Sequence, residues 1–325
     1  MPIERLVILD VGHGNCAVLH SQGAVCVIDA GPGTTLLEYL DAEKITDIDL
    51  VLLSHADQDH IGGVVGLLTS GTVNVKQVYL NTDSERQTRV WRTLTTELAR
   101  HWEGGTFFQP ALTAQQPAFT IGKATIEVLG PSPGMALLGP GQRTHSGSRI
   151  TANAMSAVIR VSYDGTPVGL LAADMDAVGL DDILNRATPP SMRAPIIVFP
   201  HHGGGTGRDA TQFTRHLMAH VLPDTVAFSI GRGRFNNPQP GIVQTVRSAR
   251  PSARIVCTQL ANHCATSEPK KEPKHLAATF AQGRAKNHCC AGSLVVEFGR
   301  RLTLFPNKRQ HIAFIRSNAS KAMCT

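Results

Sequence analysis

The chain has 325 residues, a length that one large α/β domain or two smaller domains can fill. Hydrophobic residues make up 42% of the chain and charged residues 17%, a composition that excludes a disordered chain. Aromatic residues make up only 5%, which disfavours a surface that binds nucleic acid by base stacking. The formal net charge is +6. Residues 265–325 hold 11 Lys and Arg against 3 Asp and Glu, an excess of +8. This excess fits either attraction to a polyanion or a solvated basic surface.

The first part of the chain predicts strands followed by alternating helices and strands. Short apolar runs between glycines predict three strands, RLVILDVG, CAVLH and AVCVIDAG. A helix is expected in TTLLEYLDAEK, a strand covered on both faces in DIDLVLLSH, and another helix opening at GGVVGLL after the polar run ADQDHIGG. The strand VKQVYL and the helix SERQTRVWRTLTTELARHW complete this part.

The second part continues the alternation after the strand ATIEVLG. A loop rich in Gly, Pro and Ser extends from Pro131 to Thr151, and loops of this length are usually functional or mobile. Strands are then expected in MSAVIRVSYDG, VGLLAAD, APIIVFP, DTVAFSIG and ARIVCTQL, with helices in DAVGLDDILNRA, DATQFTRHLMAHV and PQPGIVQTVRSAR. The runs SLVVEFG and LTLF are expected to close the chain as strands. This order predicts an α/β fold of mixed sheets flanked by helices.

The strongest functional signal is the run SHADQDHIGG, which starts at Ser54 directly after a buried strand. It holds four side chains that bind metals, within six residues: His55, Asp57, Asp59 and His60. Imidazoles suit zinc and similar cations, and carboxylates add charge and suit harder ones. A polar turn with capping residues would not need two His and two Asp, so the run favours a metal site.

Two further strands end in polar residues. Asp174 ends the strand VGLLAAD, where a lone Asp could merely cap the next helix, and His201 and His202 end APIIVFP. Three strands that deliver such residues to one sheet edge are the usual basis of a catalytic site in layered α/β folds.

These motifs resemble the metallo-β-lactamase fold superfamily and, within it, the hydrolase domain of ComEC-type competence proteins, which take up DNA. The matching pieces are Asp10-Val11-Gly12-His13-Gly14-Asn15, SHADQDHIGG, Asn153 with Ser156-Ala157-Val158, Leu170-Leu171-Ala172-Ala173-Asp174, Pro200-His201-His202-Gly203, and Ser229-Ile230-Gly231 with Asn237-Pro238. The resemblance covers about Leu6 to Ser252. It implies a four-layer αββα sandwich of the metallo-β-lactamase type, here a single domain over residues 1–325 with a basic, Cys- and His-containing part at 255–325.

The resemblance also implies two divalent metal ions. His55 and Asp57 would bind one ion, Asp59, His60 and His201 would bind the other, and Asp174 would bridge them. Because the wider superfamily usually has His where this chain has Asp57, and Asn153 stands near another expected His, the first site is oxygen-rich, and Mn or Mg becomes as plausible as Zn. His13, Asn15, Asn153 and His202 are candidates for contacting substrate or supporting a ligand, although His13 could equally be a loop histidine without a role.

The reaction expected at such a centre is hydrolysis by a metal-bound hydroxide, with Asp59, His60 and Asp174 as the catalytic residues. The basic tail favours a nucleic acid or another phosphodiester as substrate, with Arg208 and tail residues as candidate phosphate contacts. Two alternatives stay open: a hydrolase of small esters, lactones or thioesters on the same site, and a nucleic-acid-binding accessory protein with a structural metal centre.

A second cluster of soft ligands lies near the C-terminus. Two pairs of thiols, Cys257 with Cys264 and Cys289 with Cys290, could form a structural zinc site with neighbouring histidines. Buried reduced thiols or a redox pair are the alternative reading. The Lys-rich segment 267–283 between the pairs is expected to be an exposed, mobile insertion.

The sequence also predicts a cellular setting. No apolar run approaches the roughly 20 residues of a membrane-spanning helix. The first residues, MPIERLVILDVGHG, do not fit a secretory signal, because their apolar stretch is short and contains acidic residues. We therefore expect a cytoplasmic protein without a membrane span, whose protein partners the sequence does not identify.

Overall fold

The fold is that of a computed structural model, which describes residues 4–83, 85–207, 209–276 and 280–324. Arg208, a candidate phosphate contact, lies outside these residues. Within them, no helix combines the length and the apolar character that a membrane crossing needs.

The first large sheet is mixed and has eight strands. In sheet order they are β17 (Thr303–Phe305), β16 (Leu294–Glu297), β1 (Arg5–Ile8), β2 (Cys16–Ser21), β3 (Ala24–Ala30), β5 (Leu50–Leu53), β7 (Gln77–Leu80) and β8 (Phe107–Gln109). The strands from β17 to β3 pair antiparallel, and those from β3 to β8 pair parallel. A separate short parallel pair joins β4 (Asp47–Ile48) to β6 (Asn74–Val75).

The second large sheet has seven strands. In sheet order they are β15 (Arg254–Cys257), β14 (Thr225–Phe228), β13 (Ile196–Val198), β12 (Thr166–Leu171), β11 (Val158–Tyr163), β10 (Ala124–Gly130) and β9 (Phe119–Ile121). The strands from β12 to β15 are parallel, and those from β9 to β12 are antiparallel. The carboxyl ends of β12, β13 and β14 therefore meet at one edge.

Helices cover the outer face of each sheet. The helices on the first sheet are α1 (Thr35–Ala42), α2 (Gln58–Ser70) and α3 (Arg89–Glu103). Those on the second sheet are α5 (Ala177–Leu184), α6 (Ala210–Val221), α7 (Pro240–Ala249) and α8 (Lys308–Asn318). The short helix α4 (Pro133–Leu138) packs in a separate small cluster.

The alternation of side chains along the strands creates three layers of core. On β1, Leu6 and Ile8 pack between the two sheets, while Val7 packs against the helices of the first sheet. On β14, Ala227 faces the other sheet and Phe228 faces the outer helices. The structure thus confirms the predicted four-layer αββα sandwich.

Several predicted elements need correction. The chain does not end in strands, because the helix α8 follows β17. The polar residues of α8 obscure its apolar positions in the sequence. The side chain of Asn307 caps this helix by accepting hydrogen bonds from its first backbone amides. The loop from Pro131 to Thr151 contains α4, whose first turn is capped by Ser132. The short edge strands β8 and β9 were not predicted. Helix α2 begins at Gln58, earlier than expected, so two of the candidate ligands lie in its first turn.

The C-terminal part packs closely on the beginning of the chain. Strand β16 pairs with β1 along its full length. The buried carboxylate of Asp10 accepts hydrogen bonds from the amides of Gly12 and Gly283 and from the side chain of Gln259. The segment 267–283 was expected to be exposed, but among its described residues, which leave out 277–279, Pro273 and His275 are buried.

Candidate metal centre

Sharp turns of the backbone at the strand ends aim the candidate ligands inward. Ala173, which follows β12, and His201 and His202, which follow β13, all have left-handed backbone angles, with φ of 47°, 50° and 54°. Such angles are unfavourable for residues other than glycine and persist only where the surrounding structure fixes them. They bring the side chains of Asp174 and His202 to the first turn of α2, where Asp59 and His60 lie.

Four side chains converge at this point, and we refer to Asp59, His60, Asp174 and His202 as the inner cluster. Their ligand atoms all lie within 4.8 Å of one another. Among the described residues, the inner cluster is the one such group of His, Cys, Asp or Glu side chains. His60 Nε2 lies 3.1 Å from Asp174 Oδ1, and His202 Nε2 lies 3.2 Å from Asp59 Oδ2. Two imidazoles and two carboxylates suit Zn, Mn or a similar divalent cation.

Both histidines of the inner cluster are oriented by an acceptor on the far side of the ring. Nδ1 of His60 lies 2.7 Å from Asp29 Oδ2, and Nδ1 of His202 lies 2.7 Å from the carbonyl oxygen of Ser229. When Nδ1 donates its proton to these acceptors, Nε2 is left with a lone pair for a cation. Asp29 is a residue that the sequence analysis missed; the available signal was an acid that ends the apolar run AVCVIDAG.

The charges of the inner cluster keep its two carboxylates ionised. Burial alone would raise the pKa of Asp174, but the charges of His202 and His60 hold it well below its usual range. For Asp59, burial is likewise outweighed by the hydrogen bond from His202 and the charge of His60, so its pKa is lowered. Burial would lower the pKa of His60, yet the charges of Asp174 and Asp29 raise it well above its ordinary value. Both carboxylates are therefore ionised at neutral pH, as metal ligands must be.

His55 and Asp57, which we call the outer pair, are arranged differently. Nε2 of His55 is buried, makes no hydrogen bond and lies 3.9 Å from both Asp57 Oδ2 and Asp174 Oδ2. A buried ring nitrogen without a partner, facing two carboxylates, fits a position where a cation completes the contacts. Asp57, however, is already paired with the guanidinium of Arg86.

The structure separates the two neighbouring histidines that the sequence could not tell apart. His202, considered a supporting residue, is 2% exposed and belongs to the inner cluster, whereas His201, considered a ligand, has a side chain 34% exposed. Nδ1 of His201 still lies 2.9 Å from Asp174 Oδ2 and 3.3 Å from the amide nitrogen of Asn153. The geometry thus gives His202 the central position and leaves His201 at the rim.

The glycine-rich loop after β1 forms one wall of the centre. Nε2 of His13 lies 3.4 Å from Asp59 Oδ2, and its ring contacts those of His202 and Phe235. Burial and the charge of His202 lower the pKa of His13 to about 4, so the ring is neutral at pH 7. The amide of Asn15 donates to the backbone oxygen of Asp59, at 3.1 Å. A side chain at Gly14 would lie 2.4 Å from that same oxygen, so the approach requires glycine.

The four cysteines predicted to bind zinc do not converge. Cys257, Cys264 and Cys290 line one buried cavity together with Cys324, but Sγ of Cys289 lies 3.6 Å from the carboxylate of Asp10 instead. Sγ of the adjacent Cys290 lies 3.3 Å from Nε2 of His311, so these two thiols face different surroundings. All seven cysteines are free thiols, and in the described part of the chain no three sulfurs lie within 4.8 Å of one another.

Stacked mixed sheets with helices outside and His and Asp ligands at the strand ends define the metallo-β-lactamase fold. The family model of the metallo-beta-lactamase superfamily matches residues 9–145, so this segment of the chain is similar to that superfamily. It contains β2 to β10, α1 to α4 and the whole ligand-bearing run, while Asp174 and His202 lie beyond it.

Solved structures of similar architecture include Igni18, a metallo hydrolase from Ignicoccus hospitalis, with 16% identity, a TM-score of 0.44, and coverage of 77% of this chain and 94% of that one. YhfI, a metallo-beta-lactamase fold protein from Bacillus subtilis, has 15% identity, a TM-score of 0.48, and coverage of 78% and 96%. A metal-dependent hydrolase from Parabacteroides distasonis has 13% identity, a TM-score of 0.43, and coverage of 79% and 96%. No curated protein matches the chain, and these matches give no support to the narrower ComEC-type resemblance.

Proposed function

We propose that the protein is a metal-dependent phosphodiesterase or nuclease of the ComEC-like type, acting at the inner cluster and the outer pair with two divalent metal ions, Zn or Mn, with Mg as a further candidate. The observation that carries the proposal is the carboxylate-rich donor set, with Asp57, Asp59 and Asp174 beside three histidines, at strand ends of both large sheets rather than at the single sheet edge that was expected. Bound metal ions would supply positive charge that lowers the pKa of water and stabilises the charge on a phosphoryl group in the transition state.

Each residue of the chain has a distinct part in this proposal. Asp174 lies between His55, His60, His201 and His202 and is the carboxylate that both metal positions share. Asp59 and His202 complete the inner position, where the carboxylate of Asp59 also orients the attacking water. His13 is the neutral imidazole that faces the substrate side of Asp59, where it can hydrogen-bond to a phosphate oxygen.

The position of the basic C-terminal part supports a polyanionic substrate. Residues 282–286 form a short helical turn that docks beside the wall of the centre, where the side chain of Gln282 occupies the space over Gly12. Lys286 of this turn is exposed, and Lys270, Lys271 and Lys274 line an open groove against α8. Exposed lysines therefore stand on the turn beside the wall of the centre and along the groove, where they could contact the backbone of a nucleic acid.

An exposed aromatic ring at the same rim supports either of two substrates. Phe235 is 71% exposed, and its ring centre lies 4.7 Å from that of His13. A base of a single-stranded nucleic acid could stack on this ring. The acyl chain of a small ester, lactone or thioester could pack on it as well, which keeps that hydrolase as the second candidate.

Hydrolysis assays distinguish the two candidates. Protein loaded with Mn²⁺ or Zn²⁺ is expected to cleave bis(p-nitrophenyl) phosphate and single- or double-stranded nucleic acid, and Asp59→Asn is expected to abolish both reactions. Hydrolysis of lactones or thioesters without phosphodiester cleavage would favour the second candidate. Salt-sensitive binding of DNA or RNA without cleavage under Mn²⁺, Mg²⁺ or Zn²⁺ would instead indicate an accessory binding protein.

A further inference from the structure

Arg86 is paired with a carboxylate of the candidate site that could otherwise bind a metal ion. Its Nη2 atom pairs with Oδ1 of Asp57, and the two side chains are 26% and 29% exposed. Asp57 is one half of the outer pair, and its other oxygen faces His55 Nε2 at 3.9 Å. In the outer pair, Asp57 is thus paired with a guanidinium, whereas Nε2 of His55 has no hydrogen-bond partner among the described residues.

The loop that carries Arg86 is itself built around a buried acid. Oδ1 of Asp83 accepts hydrogen bonds from the backbone amides of Glu85 and Arg86, both at 3.1 Å. Oδ2 of Asp83 lies 3.6 Å from Nε of Arg86. Asp83 is only 7% exposed. This buried carboxylate contacts both the backbone amide and the side chain of Arg86 and so holds the guanidinium towards Asp57.

Among the described residues, no arginine or lysine is paired with a carboxylate of the inner cluster. Its two carboxylates, Asp59 and Asp174, pair with histidines, and an imidazole can give up its proton when a metal ion arrives. A guanidinium stays protonated in proteins, so Arg86 cannot become neutral and must move away from Asp57 before that carboxylate binds a metal ion. An aspartate at position 57 makes this pairing possible, because a histidine there would not attract an arginine.

We propose that Arg86 acts as an internal competitor for the outer metal position, so that the two metal ions bind in order and with different affinities. The first ion binds tightly to the inner cluster. The second binds His55, Asp57 and Asp174 only when Arg86 leaves Asp57. This inference rests on the proposed metal centre, and Arg86 is a positioning residue in it because it acts through Asp57.

Metal titration of chelator-treated protein tests the proposal directly. We would titrate Mn²⁺ into the wild-type protein and into Arg86→Gln, and follow binding by calorimetry and by the paramagnetic resonance of coupled Mn²⁺ pairs. The wild type is expected to bind one ion tightly and a second one weakly. Removing a half-buried ion pair and a neighbouring positive charge should tighten the second binding by about tenfold and leave the first unchanged.

Arg149→Gln is the matched control, because Arg149 lines the same surface cavity as Arg86 without contacting Asp57. It should titrate like the wild type, and Asp57→Asn should lose the second ion in either background. An unchanged or weakened second binding in folded Arg86→Gln would overturn the proposal, as would two equally tight ions in the wild type. Absence of any Mn²⁺ binding, with Zn²⁺ giving the same result, would overturn both this inference and the metal centre on which it rests.

Discussion

The inner cluster and the outer pair lie side by side and share Asp174, yet they are supported in different ways. Each histidine of the inner cluster has its Nδ1 atom held at 2.7 Å by a buried oxygen, from Asp29 in one case and from the Ser229 carbonyl in the other. In the outer pair, His55 has only the hydroxyl of Ser54 at 3.0 Å, and Asp57 is bound by Arg86. The difference teaches that the number of ligands alone does not set affinity, because the orienting residues behind the ligands decide how much rearrangement binding costs.

The largest expected effect comes from Asp174, the residue that the two regions share. Asp174→Ala should remove metal from both positions together and lower hydrolysis by about a thousandfold or more. Elemental analysis of the purified variant measures this directly. If the variant kept one ion at wild-type affinity, Asp174 would belong to one region only.

The adjacent histidines provide the next test of the comparison. His202→Ala removes a buried ligand of the inner cluster and should abolish binding of the tight ion, whereas His201→Ala should leave that ion in place because His201 lies at the rim. Metal titrations of the two variants make a matched pair. Equal losses would show that both rings coordinate the ions.

A smaller effect is expected from the residue behind His60. Asp29→Asn keeps the shape but loses the charge that orients the ring, so the affinity of the inner cluster should fall by about 10–100-fold. The outer ion should be affected less, since Asp29 contacts His60 directly but reaches His55 through the hydroxyl of Ser54. A change confined to the outer ion would contradict the assignment of Asp29 to the inner cluster.

The smallest predicted effect concerns the pH dependence of stability after treatment with a chelator. Asp59 and Asp174 have lowered pKa values in the folded protein, so the stability that they contribute is present above their unfolded pKa of about 4 and is lost as the pH falls further. His60 has a raised pKa, so its contribution is present below about 6.5 and is lost as the pH rises through the folded value.

Thermal unfolding of the wild type and of Asp174→Asn checks these signs. The wild type should lose stability between about pH 5 and pH 3, and the variant should show a flatter dependence there, because one of the two carboxylates is gone. A parallel decline in both proteins would place the responsible carboxylates elsewhere. His55→Gln should also flatten the curve, but from about pH 6.5 downwards, because burial lowers the pKa of His55 and the unfolded chain takes up a proton there that the folded protein does not.

The strands and the ligand-bearing run were predictable because they depend on local patterns. An apolar strand that ends in SHADQDHIGG places His55, Asp57, Asp59 and His60 at a sheet edge whatever the rest of the chain does. The short strands β8 and β9 and the helix α8 were missed because each has few apolar residues, and its position depends on the partner that it packs against.

Other parts of the centre depend on tertiary structure that no local pattern reports. The choice between His201 and His202 follows from two consecutive left-handed residues, and nothing in the motif itself predicts those angles. Asp29 lies 31 positions before His60, and only the parallel pairing of β3 with β5 brings them together. Arg86 follows β7, one strand further along, and its contact with Asp57 is equally non-local.

The pairing of β1 with β16 determines when the centre can be completed during synthesis. Leu6 pairs with Val296, and the loop that carries His13 is braced through Asp10 by Gly283. Most of the ligands leave the ribosome long before these partners, and pairings between distant segments form late and slowly. The nascent chain therefore passes through a stage in which its candidate ligands exist but the wall beside them is not yet in place.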